Sequence, residues 1–136
     1  MKKGHRKQKA TSVKDLMDLM DYMRSPEGCP WDREQNFSTI KKTFTSEFME
    51  ALEALEKEDF ENLREELGDL LWNIIFLSQL AKEKDYFDFE DVVADMNEKI
   101  VRRHPHVFGD KKFNSADEVR EEYHRIKEEE KRQKSD

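Results

Sequence analysis

At 136 residues, 42% of them charged and with a formal net charge of −7, the chain has the length of one domain and the wrong sign for a general nucleic-acid binder. Its lone Cys29 excludes an intrachain disulfide and suits a reducing compartment. No stretch approaches the roughly 20 apolar residues of a membrane span, and the basic residues 1–9 lead into no apolar run of the signal-peptide kind, so a soluble cytoplasmic protein is the expectation. Three prolines and four glycines suit long helices better than a sheet with many turns, and 35% hydrophobic residues imply a thin core for a monomer.

Residues 1–11 read as a basic, flexible N-terminus. A helix is expected over 12–24, with Ser12 as N-cap and Val13, Leu16, Met17, Leu19, Met20 and Met23 on a broad apolar side. Pro26, Gly28 and Pro30 end it in an ordered loop over 25–32. Trp31 in that loop is either a core plug or a flat platform for a base. A first acidic helix is expected over about 38–57 and a second over about 59–84, with Asp59 as its N-cap. So short a break implies an antiparallel hairpin. Residues 70–77 are apolar almost all round, with Trp72 opposite the expected core stripe. A helix apolar on every side is buried on every side, which predicts a homodimer or homotetramer with this helix at its interface.

Residues 85–88 read as a turn. A further helix over about 90–103 would turn Val92, Val93, Met96 and Ile100 inward and ends in Lys99, Arg102, Arg103 and His104. Cations there complement the helix dipole; equally, arginine forks match phosphate oxygens. Pro105 stops the helix. His104 and His106 have no third histidine or cysteine nearby, which argues against zinc. Residues 107–114 read as a loop, and Ser115 with Glu118 forms a capping box. That box opens a last helix over 116–132, with Val119, Tyr123 and Ile126 as its thin apolar edge. The expected organisation is a helical domain over 12–115 followed by a charged helix and tail over 116–136.

Two acid-x-x-acid pairs, Glu47 with Glu50 and Glu66 with Asp69, stand out from this background. Residues three apart share a helix face, so each pair can aim two carboxylates one way. On the first acidic helix Phe44, Phe48, Ala51, Leu52 and Leu55 form a stripe, and Glu47 and Glu50 lie about 60° and 120° from Phe44. On the second, Leu63, Leu67, Leu70, Ile74 and Ala81 form the stripe, Glu66 and Asp69 take the same offsets from Leu63, and Asn73 falls between them. Glu53 and Glu56 fall well away and read as solvated. An antiparallel hairpin would converge all four acids. Two like charges at ~4 Å cost roughly 4 kcal/mol at an effective dielectric of ~20, so such a cluster needs protons or a hard cation, Mg2+ or Mn2+. The bland alternative is a set of solvated charges in a charge-rich chain. A di-iron bundle would want Glu-x-x-His pairs, and neither acidic helix contains a histidine.

Four ordered motifs carry a resemblance covering roughly residues 16–110. They are Gly28-Cys29-Pro30-Trp31-Asp32 with Gln35, Glu47-x-x-Glu50, the run from Glu65 to Leu71, and the run from Arg102 to Phe108. In these the chain resembles the MazG family of nucleoside triphosphate pyrophosphohydrolases. The resemblance implies an oligomeric all-α helical bundle and hydrolysis of an NTP or dNTP to the monophosphate plus pyrophosphate, in nucleotide-pool house-cleaning. It further implies Mg2+ held by Glu47, Glu50, Glu66 and Asp69, which are also the catalytic set. With the resemblance, Trp31 becomes the candidate base platform, Asn73 a candidate substrate contact, and Lys99, Arg102 and Arg103 candidates for the phosphates. Ser46 stands where family members often carry a first glutamate, and the Arg-Arg-His-Pro-His ending resembles the N-terminal half of two-domain members. Both features support the rival reading, a catalytically weak or inactive nucleotide-binding or oligomerisation module of the same fold.

Overall fold

A computed structural model describes residues 10–135; the basic segment over 1–9 lies outside the described residues. All regular elements among them are helices: α1 (Val13–Met23), α2 (Pro30–Glu34), α3 (Phe37–Glu56), α4 (Phe60–Glu83), α5 (Phe89–Arg102), α6 (Pro105–Phe108) and α7 (Ala116–Ser135). The all-α expectation holds. The chain divides into two compact units, one ending at Phe89 and one beginning at Glu90.

In the first unit, local chemistry sets each helix start. Ser12 caps α1 through a reciprocal pair of bonds with Asp15. Asn36 and Thr39 form a similar box ahead of α3, two residues before the expected start. The 25–32 segment is less irregular than expected, because Pro30 occupies the first turn of α2, where its fixed φ suits a helix. Gly28 has a steric reason: a Cβ there would lie 2.3 Å from the carbonyl oxygens of Tyr22 and Met23. Asp59 caps α4 as expected, accepting from the Asn62 amide at 3.2 Å.

The core is Met20, Ile40, Ile75, Phe76 and Leu80, with Leu16, Leu71, Trp72, Leu77 and Phe89 packed against it. This departs from the expected faces of α3 and α4, of whose stripes only Ala51 and Ala81 are buried and Phe44, Leu63 and Leu70 half-buried. The supposed core stripe is largely outside: Phe48 is 52% exposed, Leu55 52% and Leu67 53%, and Leu52 and Ile74 are exposed too. Trp72, read as pointing away from the core, packs on it. The apolar run over 70–77 offers two faces, and α1 packs on α4. Periodicity alone does not say which of two apolar faces a single chain covers.

In the second unit, Val92, Val93, Met96 and Ile100 of α5 are exposed rather than facing in. Residues 105–108 form the short helix α6 in place of the expected loop start, again with proline in its first turn. The Glu118 amide donates to the Ser115 hydroxyl, while the Glu118 carboxylate accepts from the Asn114 amide, a displaced version of the expected capping box. Val119, Tyr123 and Ile126 are half-buried.

Candidate metal-binding active site

The site grows from the α3–α4 pair, the most extensive helix packing in the chain. The reversal takes three residues, with Glu58 in the left-handed region at φ 54 and the Asp59 amide donating to the Ala54 carbonyl at 3.0 Å. Ala51 and Ala54 are buried; small side chains there let the two backbones come close. Carboxylates from both helices then meet. One oxygen each of Glu47, Glu66 and Asp69 lies within 4.8 Å of the others. Glu50 lies close enough to both Glu47 and Glu66 to raise the two carboxyls. All four acids singled out by spacing are therefore in one cluster, three of them as a compact trio.

Glu66 is only 9% exposed, and the Oε2 atoms of Glu47 and Glu66 are buried with no hydrogen-bond partner. A buried carboxylate oxygen left unpaired is costly. The protonation states show it. Burial, then the charges of Asp69 and Glu50, pushes Glu47 up to about 7. Burial, then the contact with Glu50, raises Glu66. These are carboxylates short of positive charge. The donor set is all hard oxygen, which fits Mg2+ or Mn2+ rather than a thiolate- or imidazole-seeking metal.

Trp31 is 72% exposed, which removes the core-plug reading and leaves an open aromatic face. Asn73 is 4% exposed and its amide nitrogen donates to the Asp69 carbonyl at 2.8 Å, so it fixes the helix turn that presents Asp69. Ser46 and Glu50 line an open depression of about 450 Å3. In the second unit Lys99 is half-buried, and Arg102 and Arg103 both bind Glu130.

Sequence reasoning missed Arg24. Its guanidinium grips both carboxylate oxygens of Glu83 at 3.0 and 2.6 Å and donates to the Asp32 and Gln35 carbonyls. It also lies 5.7 Å from the Phe76 ring centre. One side chain thereby ties the segment after Trp31 to the end of α4. No local signal marks it, since Glu83 is 59 residues away.

Residues 35–108 match the family model described as the MazG nucleotide pyrophosphohydrolase domain. The nucleoside triphosphate pyrophosphohydrolase of Escherichia coli K12 is 46% identical over 121 residues, 88% of this chain and 46% of that protein. The nucleoside triphosphate pyrophosphohydrolase/pyrophosphatase MazG of Thermotoga maritima is 45% identical over 96 residues, 71% of this chain and 38% of that protein. This chain thus spans about half the length, or less, of these curated relatives. The crystal structure of a mazG-related protein from Thermotoga maritima is similar at TM-score 0.71 and 30% identity, covering 85% of this chain and 99% of that one.

Proposed function

The chain belongs to the MazG nucleotide pyrophosphohydrolase family, and from that premise we propose that it hydrolyses nucleoside triphosphates, NTP or dNTP, to the monophosphate and pyrophosphate. The observation that carries the proposal is the pair of buried, partnerless oxygens of Glu47 and Glu66 converging with Asp69 across the α3–α4 hairpin. Glu47, Glu66 and Asp69, with Glu50, are assigned a divalent cation, Mg2+ or Mn2+. Such a cation, when bound, neutralises phosphate charge and makes water more acidic. Glu50, in contact with the trio but outside it, is assigned the proton of the water that attacks the α-phosphorus. Trp31 is assigned the base, stacking on its open face. Asn73 retains its amide oxygen and one N–H for the substrate, and Lys99, Arg102 and Arg103 are assigned the phosphates. House-cleaning of the cytoplasmic nucleotide pool is the role consistent with this reading. Among the described residues no helix is long and apolar enough to cross a membrane.

Pyrophosphate release from a panel of NTPs and dNTPs, with Mg2+ and with EDTA, tests the activity. Magnesium-dependent release is expected, and its profile would name the substrate class. Ser46, standing where family members often carry a first glutamate, favours the non-hydrolysing module as second reading. Absence of release from every substrate, with the chain folded, would establish that reading instead.

We further infer a homodimer or homotetramer. Phe48, Leu52, Leu55, Leu67 and Ile74 expose a run of apolar surface on α3 and α4, the kind of patch that marks an interaction surface. Gly68, mid-helix beside Leu67, has open space where a Cβ would sit. Glycine costs about 1 kcal/mol relative to alanine inside a helix, and nothing among the described residues explains it; close approach of a second copy would. Light scattering at micromolar concentration should give twice or four times the 16.4 kDa chain mass. A monodisperse monomer would refute the inference.

A further inference from the structure

The second unit contains a cleft between α5 and α7 of about 530 Å3. Its lining carries five cationic side chains against three carboxylates, in a chain whose net charge is −7. At its centre one carboxylate meets two guanidinium groups. Arg102 Nε donates to Glu130 Oε2 at 2.7 Å. Arg103 donates to Oε1 from Nη2 at 2.7 Å and from Nε at 3.2 Å. Tyr123 holds the Arg103 fork in place, accepting from Nη1 at 3.0 Å through its hydroxyl and lying 5.2 Å below the guanidinium with its ring. Lys99 lines the same cleft and makes no ion pair with a described residue.

We propose that Glu130 is an internal anion that fills the phosphate seat assigned above to Arg102 and Arg103 and competes there with an incoming di- or triphosphate group. The proposal rests on the assignment of Arg102 and Arg103 to phosphate, though not on hydrolysis at the acidic cluster. Two forks converging on both oxygens of one group is the arrangement that arginines use for phosphate. A simple tie between α5 and α7 needs one arginine and no surplus of positive charge. Glu130 is also well suited to leave. It lies in the penultimate turn of α7, which ends at Ser135, near a helix end that frays readily. Hydrogen bonds from Arg103 and then Arg102 hold its carboxyl down at about 2, so at neutral pH it is a full anion.

The test is calorimetric titration of the full chain in EDTA, so that no metal bridges a phosphate to the acidic cluster. Inorganic pyrophosphate is titrated in one arm and a nucleoside triphosphate in the other. Glu130→Gln is expected to bind ~10-fold more tightly than the wild-type chain, by removing a competing anion worth about 1.4 kcal/mol at that ratio. Glu130→Asp, which keeps the charge but shortens the reach, should gain less and covers the case in which the glutamine variant does not fold. The Arg102→Ala/Arg103→Ala double variant should lose binding in either background. Equal gains for both probes would assign the seat to the phosphate group alone. A gain confined to the nucleoside triphosphate would assign it to the phosphate arm of a nucleotide. No gain in a folded Glu130 variant, or a gain that survives loss of both arginines, overturns the proposal. Magnesium-dependent pyrophosphate release is measured separately, so failure here and failure of the hydrolase reading are distinct results.

Discussion

Glu66→Gln is expected to lower magnesium-dependent pyrophosphate release by ~100-fold or more, the size of effect seen when a preorganised charge-stabilising group is lost from a phosphate or acyl-transfer site. Glutamine has the shape of glutamate, so the buried space that Glu66 occupies stays filled. What is lost is one anionic oxygen from a trio of ligand atoms that lie within 4.8 Å of one another. Glu47→Gln should behave alike. Glu53→Gln is the control, since Glu53 is exposed, pairs with Lys57 at 2.6 Å and is no part of the cluster; it should stay within about 2-fold, as expected for a surface ion pair. A second readout separates a ligand from a merely structural acid. Each neutralised carboxylate relieves like-charge repulsion, so the metal-free Glu66→Gln chain should melt at a higher temperature than wild type while losing its response to Mg2+. Full turnover by Glu66→Gln would remove it from the site.

Much of this site can be read in the sequence because helix geometry is periodic. The spacings of Glu47 with Glu50 and of Glu66 with Asp69, joined to a hairpin implied by the short break at Glu58-Asp59, are enough to bring four acids together, and they do meet. The caps at Ser12 and Asp59 are equally local and equally legible. Failures begin where a choice depends on distant residues. Ile75, Phe76 and Leu80, rather than Leu67 and Ile74, form the buried face of α4, because both faces are apolar and only packing against α1 decides between them. Trp31 could have filled the core, yet it stands in solvent because Pro30 starts a helix that turns it out. Arg24 could not be found at all: an arginine among many gains its role from Glu83 and from two backbone carbonyls. Glu130 is similar. Nothing in a charged C-terminal helix marks one glutamate out of its neighbours until Arg102 and Arg103 close on it.

The metal-free chain is expected to lose heat stability as pH rises from 5 to 8, with a fall in melting temperature on the order of 5 °C, as about 1 kcal/mol moves a domain of this size by several degrees. Glu47 sits at about 7 in the folded chain against 4.5 for a free glutamate, and Glu66 is raised in the same direction. Between those values the folded state holds more protons than the unfolded state, so stability must fall with increasing pH. The stabilisation is fully present below 4.5 and gone above 7. Carboxyls shifted the other way act in a different window. Glu122, held at about 2 first by Arg125 and then by Lys111, and Glu130, at about 2, give stability that is present above 4.5 and lost as pH falls toward 2. Metal-free stability should therefore peak near pH 5. A divalent cation competes with protons for the same oxygens, so Mg2+ should add most at pH 8, least at pH 5, and flatten the slope. Differential scanning fluorimetry across that range, in EDTA and in Mg2+, reads both effects at once. A metal-free melting temperature that is flat or rising from pH 5 to 8 would mean that Glu47 and Glu66 carry their charges in comfort. The buried oxygens of Glu47 and Glu66 would then need no cation, and the case for a metal at this hairpin would fall with them.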